Sequence, residues 1–90
     1  MKVTIEGKIS DGALLQMQLD GKEILNGNGQ ASVDLATGTY HPLQWFVRGD
    51  QGATYTVGIV APPKATFSHS GTLDSTGRDA GIQWVYRDEP

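Results

Sequence analysis

The chain contains no cysteine, so no disulfide closes a loop and no thiolate serves as a nucleophile or structural metal ligand. Histidine occurs only at 41 and 69, and neither lies in a metal-ligand or nucleophile motif. The patterns G-x-S-x-G, H-E-x-x-H and the glycine-rich phosphate loop are missing, and the carboxylates are spread over polar positions without an acid–base pair. Nothing in the sequence implies catalysis, a cofactor or a metal centre. The seven basic residues (Lys2, Lys8, Lys22, Arg48, Lys64, Arg78, Arg87) form no stripe, and the net charge is −3. Nucleic acid and anionic membranes are therefore poor partners. No apolar run approaches the ~20 residues of a membrane-spanning helix. The opening MKVTIEGKIS lacks the apolar core of a signal peptide, so a cytoplasmic protein and a secreted one with its signal removed both stay open.

What is plentiful is glycine, with twelve residues, joined by four prolines. They punctuate the chain at short intervals, the spacing of a β-sandwich or barrel, and ninety residues make one domain, 1–90. Between the breaks the apolar residues alternate. Val3, Ile5 and Ile9 share one parity, as do Leu15, Met17 and Leu19, then Ala31, Val33 and Leu35. Ser10-Asp11-Gly12 reads as a three-residue hairpin loop setting Ile5 opposite Met17, and Asp20-Gly21 as a type I′ turn setting Ile24 opposite Met17. The longest β signal starts at Thr39 and carries Leu43, Trp45 and Val47 inward, with Tyr55, Val57 and Ile59 after the next turn. Two prolines at 62 and 63 end that run. Ala65 and Phe67 form a short strand, Leu73 anchors a polar loop, and Ile82, Trp84 and Tyr86 face inward on the last strand. The expected fold is all-β, a single antiparallel sandwich of seven or eight strands.

Residues 46–55, FVRGDQGATY, hold the tripeptide Arg48-Gly49-Asp50 that integrins recognise. The same residues suit a tight hairpin. Asp50 and Gln51 occupy a type I turn and Gly52 takes the positive-φ position, which sets Val47 against Tyr55 and Trp45 against Val57.

The segment DLATGTYHPLQW carries Leu35, Gly38 and Tyr40 in the spacing L-x-x-G-x-Y before the longest strand. It resembles the tyrosine corner of fibronectin type III and immunoglobulin-like domains. The resemblance covers about thirty residues and implies a Greek-key sandwich in which Tyr40 is a structural lock. There is no cysteine pair, and Met17 stands where such modules commonly carry an early core tryptophan.

Parity sends Phe46 outward, beside Gln44, Arg48, Thr54 and Thr56, with Asp50 at the adjoining turn. One apolar ring among hydrogen-bonding groups is the composition of a binding patch. The favoured function is a non-enzymatic interaction or accessory module that presents this face to a partner protein. The alternatives are carbohydrate binding through exposed aromatics, which needs Phe46, Trp84 or Tyr86 at the surface, and adhesion through the Asp50 turn. An edge strand offers a route to homo-oligomers. Asp74 and Asp79 flank the loop STGR as two carboxylates for calcium, short of the six to eight oxygens the ion takes.

Overall fold

The computed structural model describes residues 2–86. They form eight strands: β1 Lys2–Ile9, β2 Ala13–Leu19, β3 Lys22–Asn26, β4 Gly29–Asp34, β5 Tyr40–Gly49, β6 Thr54–Ala61, β7 Phe67–Thr72 and β8 Arg78–Tyr86. A single 3₁₀ turn, Pro63–Ala65, interrupts them. Two antiparallel four-stranded sheets result, one in the order β4-β1-β6-β7 (sheet A) and one in the order β3-β2-β5-β8 (sheet B). The fold is the expected all-β sandwich.

The order has a simple logic. Four successive strand pairs, β1/β2, β3/β4, β5/β6 and β7/β8, each put one strand in each sheet, so each pair is an arch that crosses the core. This corrects two expectations. β1 and β2 are not a hairpin, and neither are β5 and β6: Met17 pairs with Trp45 and Leu25, and Tyr55 with Ile9 and Gly71. A three-residue loop closed by a left-handed glycine serves an arch as well as a hairpin, and Gly12 (φ 85°) and Gly52 (φ 90°) do take that conformation. Asp20-Gly21 does close a hairpin, with both φ values positive as a type I′ turn requires. A bulge follows, so Met17 meets Leu25 instead of Ile24.

The four arch turns lie at one end and bond to one another. Asp50 N–H donates to Gly12 O at 3.0 Å, Gly49 N–H to Gly77 O at 2.9 Å, Gly52 N–H to Leu73 O at 2.8 Å, and Ser10 N–H to Thr54 O at 3.0 Å. The Asn28 side chain caps Ile9 N–H at 2.7 Å. These bonds absorb backbone groups that a crossing chain would otherwise leave without partners.

Between the sheets lies one core built from the inward parities, with Ile5, Met17, Leu43 and Val57 fully buried and Leu35 and Leu73 almost so. At the opposite end the polar anchor is His41, only 6% exposed. Its Nδ1 lies 2.8 Å from Asp20 Oδ2 and its Nε2 2.8 Å from Ala36 O. It thereby ties the β2–β3 turn to the crossing from β4 to β5. Tyr40, the residue likened to a tyrosine-corner lock, is 63% exposed. The buried anchoring at that corner belongs to its neighbour.

Candidate functional site: the outer face of sheet B

β8 reverses the expected phase. Its pairing with β5 sets Gly81 beside Trp45, Gln83 beside Leu43 and Val85 beside His41, all inward, and sets Ala80 beside Phe46, Ile82 beside Gln44 and Trp84 beside Pro42, all outward. Trp84 is 56% exposed and Ile82 45%, whereas Val85 is buried. The inward reading of Ile82 and Trp84 is thus overturned; the side chain of Tyr86 lies outside the described residues. The physical reason is bulk. Trp45 already fills the space at this edge, and a Cβ on Gly81 would run into its indole ring. A strand supplying Gly81 at that level must direct its alternate, larger residues to the surface.

Phe46, 41% exposed, and Leu14 complete the apolar surface on β5 and β2. Gln16, Gln18 and Gln44 lie at the same outward parity, with Arg48 and Arg78 paired toward the arch end. Gln16 donates to Glu23 at 2.7 Å. A shallow depression of about 850 Å³ runs between Leu14, Gln16, Phe46, Arg48, Arg78 and Ala80. Half of the expected patch, Gln44, Phe46 and Arg48, lies on this outer face, with Phe46 and Arg48 lining the depression. Thr54 and Thr56 do not, because β6 belongs to the other sheet; they face the solvent on the outside of sheet A. The patch that looked continuous on a β5–β6 hairpin is divided between opposite faces of the sandwich.

Asp50 sits in the arch turn, where Ala53 N–H donates to its carbonyl at 3.1 Å. Gly49 is pressed against β2, where a Cβ would meet the carbonyl oxygen of Gly12 and the Cα of Ala13. The glycine of the Arg-Gly-Asp tripeptide is thus required by the packing of two arches.

A second group of side chains closes the open side between β7 and β8. The Tyr55 hydroxyl donates to Asp79 Oδ2 across the two sheets, and His69 Nε2 lies 3.1 Å from the Tyr55 hydroxyl oxygen, placed to donate to it. The His69 ring stands 5.2 Å from Trp45 and 5.8 Å from Tyr55. Burial, reinforced by the Asp79 carboxylate, pushes the Tyr55 phenol up to about 12, so it is a proton donor at neutral pH. The indole N–H of Trp45 is buried beside this group without a hydrogen-bond partner. A cleft of about 440 Å³ opens over these groups between Phe67, Ser68, His69 and the β8 backbone at 79–83. The bonds link the sheets where no further strand does.

Asp74 and Asp79 are engaged locally. Asp74 Oδ1 accepts from the Thr76 N–H at 2.9 Å and the Thr76 hydroxyl at 2.5 Å, which lowers its pKa, and Asp79 Oδ1 accepts from Ala80 N–H at 2.9 Å. Among the described residues no three His, Asp or Glu side chains gather to hold a metal.

No protein-family model, curated protein or solved structure matches this chain.

Proposed function

We propose that this domain is a non-enzymatic interaction module that binds a partner protein through the outer face of sheet B. The observation that carries the reading is the inverted β8, which turns Ile82 and Trp84 to solvent beside Phe46 and Leu14. Exposing contiguous large apolar side chains brings no gain in folding, and a rim of glutamine and arginine around such a patch is the composition of a protein-binding surface. The aliphatic residues favour a protein over a sugar. An immunoglobulin- or fibronectin-like relationship would suit such a module; its support is the Leu35-Gly38-Tyr40 segment and the sandwich plan.

A photo-reactive phenylalanine at position 46 tests the reading in extracts of cells that make the protein. A discrete protein adduct from position 46, with none from the same label at Thr56, is the expected result. Equal labelling at the two positions, or none at 46, overturns it. Carbohydrate binding is the second reading, favoured by the exposed Trp84 on the same face as Gln44. It predicts that an insoluble polysaccharide retains the domain and that Trp84→Ala releases it.

A further inference from the structure

The outer face of sheet B is a grid of side chains whose rows run across β2, β5 and β8. The row nearest the arch turns sets Leu14 opposite Arg48 and Arg48 opposite Arg78, and the next sets Gln16, Phe46 and Ala80 side by side. Arg48 therefore sits on a central strand, with an exposed leucine on one side and a second exposed arginine on the other. Directly opposed residues hold their Cβ atoms about 4.5–5.5 Å apart, and like charges so placed destabilise a strand pair. Among the described residues neither guanidinium forms an ion pair or a hydrogen bond.

The chain has carboxylates to spare, ten against seven basic residues, and they are engaged elsewhere. Asp79 is held by the Tyr55 hydroxyl and the Ala80 N–H, Asp74 by Thr76, and Glu23 by Gln16. On sheet A, by contrast, Lys8 has Glu6 at 3.5 Å. Two charges that repel one another and meet no described counter-ion bring no gain to folding. Their use lies in what they meet from outside. A guanidinium presents a planar fork of donors matched to a carboxylate, and two side by side can share one. Both arginines line the depression of about 850 Å³ together with Leu14, Phe46 and Ala80, so charge and apolar surface adjoin in one place.

We infer that the partner engaged by this face presents an acidic segment, in which the carboxylate of an aspartate or glutamate adjoins large apolar side chains. The carboxylate lies between Arg48 and Arg78, and the apolar side chain packs on Phe46 and Leu14. The assignment rests on the partner-protein reading proposed above and narrows it by charge complementarity. A neutral segment would leave the arginine pair to repel itself, whereas an anion between the two relieves the repulsion. A carboxylate is favoured over a phosphate dianion for two reasons. The β5 backbone is committed to ladders on both sides, so the site offers side-chain donors only. The net charge of −3 also opposes a dianion more strongly than a single negative charge.

Short peptides test it. Amide NMR of the isotope-labelled domain at low salt follows titration with acetylated, amidated Glu-Leu-Trp-Glu, and with the same peptide carrying Gln, Lys or phosphoserine in place of Glu. The Glu peptide is expected to shift the amides of Leu14, Phe46, Arg48 and Arg78 and to bind at least about tenfold more tightly than the Gln peptide. Added salt should erase that advantage. Arg48→Glu should turn the preference toward the Lys peptide, a gain that a misfolded variant cannot produce. Arg78→Gln should remove the preference for Glu over Gln and, by relieving the repulsion, raise the urea midpoint. Equal binding of the Glu and Gln peptides at Phe46 overturns the inference and leaves the partner-protein reading standing. Tighter binding of the phosphoserine peptide than of the Glu peptide overturns it as well, in favour of a phosphorylated partner. If no peptide shifts Phe46 at about 5 mM, well above a Kd of about 1 mM, the inference falls, and the photo-reactive label at position 46 decides the partner-protein reading separately.

Discussion

The two outer faces of the sandwich are made from the same kind of strand and are chemically opposed. On sheet A the outward residues satisfy one another: Thr4 bonds Ser32 at 3.3 Å, Thr56 bonds Ser70 at 2.9 Å, and Glu6 accepts from Gln30 at 2.7 Å with Lys8 3.5 Å away. The Gln30 bond is the main reason the Glu6 pKa is lowered. Val60 is its one large apolar residue exposed among those described. Sheet B instead exposes Leu14, Phe46, Ile82 and Trp84. A face whose polar groups are paired across strands offers little to a partner, because docking would have to break those bonds. A face of exposed rings and aliphatic chains gains from being covered.

The sharpest way to break this comparison is to remove each tryptophan. Trp45→Ala empties the core and is expected to cost about 3–5 kcal/mol, read as a lower urea midpoint with little change in slope. Trp84→Ala should change stability by no more than about 0.5 kcal/mol while abolishing the binding proposed for sheet B. Equal destabilisation by both would mean that β8 does not present its even-numbered residues to solvent. Next in size is Tyr55→Phe, which leaves Asp79 and His69 without the hydroxyl and should cost about 1–2 kcal/mol. Its alkaline signature is specific. The folded phenol titrates at about 12 and the unfolded one near 10, so the contribution is complete below pH 10 and lost as pH rises toward 12. Absorbance at 295 nm should show one of the described tyrosines titrating late, and Tyr55→Phe should remove that phase.

His41 provides a pH test at neutral range. Burial disfavours its charged form, but Ala36 O and Asp20 Oδ2 both accept hydrogen bonds, so both ring nitrogens are satisfied only in the imidazolium, and the net pKa is raised. A raised folded pKa gives stability that is full below the unfolded value of about 6.5 and declines as pH rises through the folded one. Urea midpoints should therefore fall from pH 5.5 to pH 8.5, and His41→Gln should flatten that slope. The smallest effect expected is from Thr56→Val on sheet A, within about 0.5 kcal/mol and without gain of binding.

The inward parities of β1, β2, β5 and β6 are legible in the sequence because each alternates polar and apolar residues without interruption. The assignment of strands to sheets is not. Ser10-Asp11-Gly12 and Asp50-Gln51-Gly52 carry the turn chemistry of hairpins, and nothing local tells a hairpin from an arch with the same glycine. That is also why the sequence pattern groups Thr54 and Thr56 with Phe46. β8 misleads for a different reason: hydrophobicity marks its even positions, and only the space already taken by Trp45 shows that they face out. His41 has a weak sequence signal, an unpaired histidine at the start of the longest strand, downstream of an Asp-Gly turn whose aspartate it reaches.

The arches also set how the molecule would respond to tension. Both described ends leave from the end opposite the four bonded turns, since β1 runs toward the turns and β8 runs away from them. A pull on the two ends therefore loads the β8–β5 ladder one hydrogen bond at a time, like opening a zipper, instead of shearing the whole ladder at once. The strand that gives way first is β8, and the arch end, where turns from all four pairs are stitched together, gives way last.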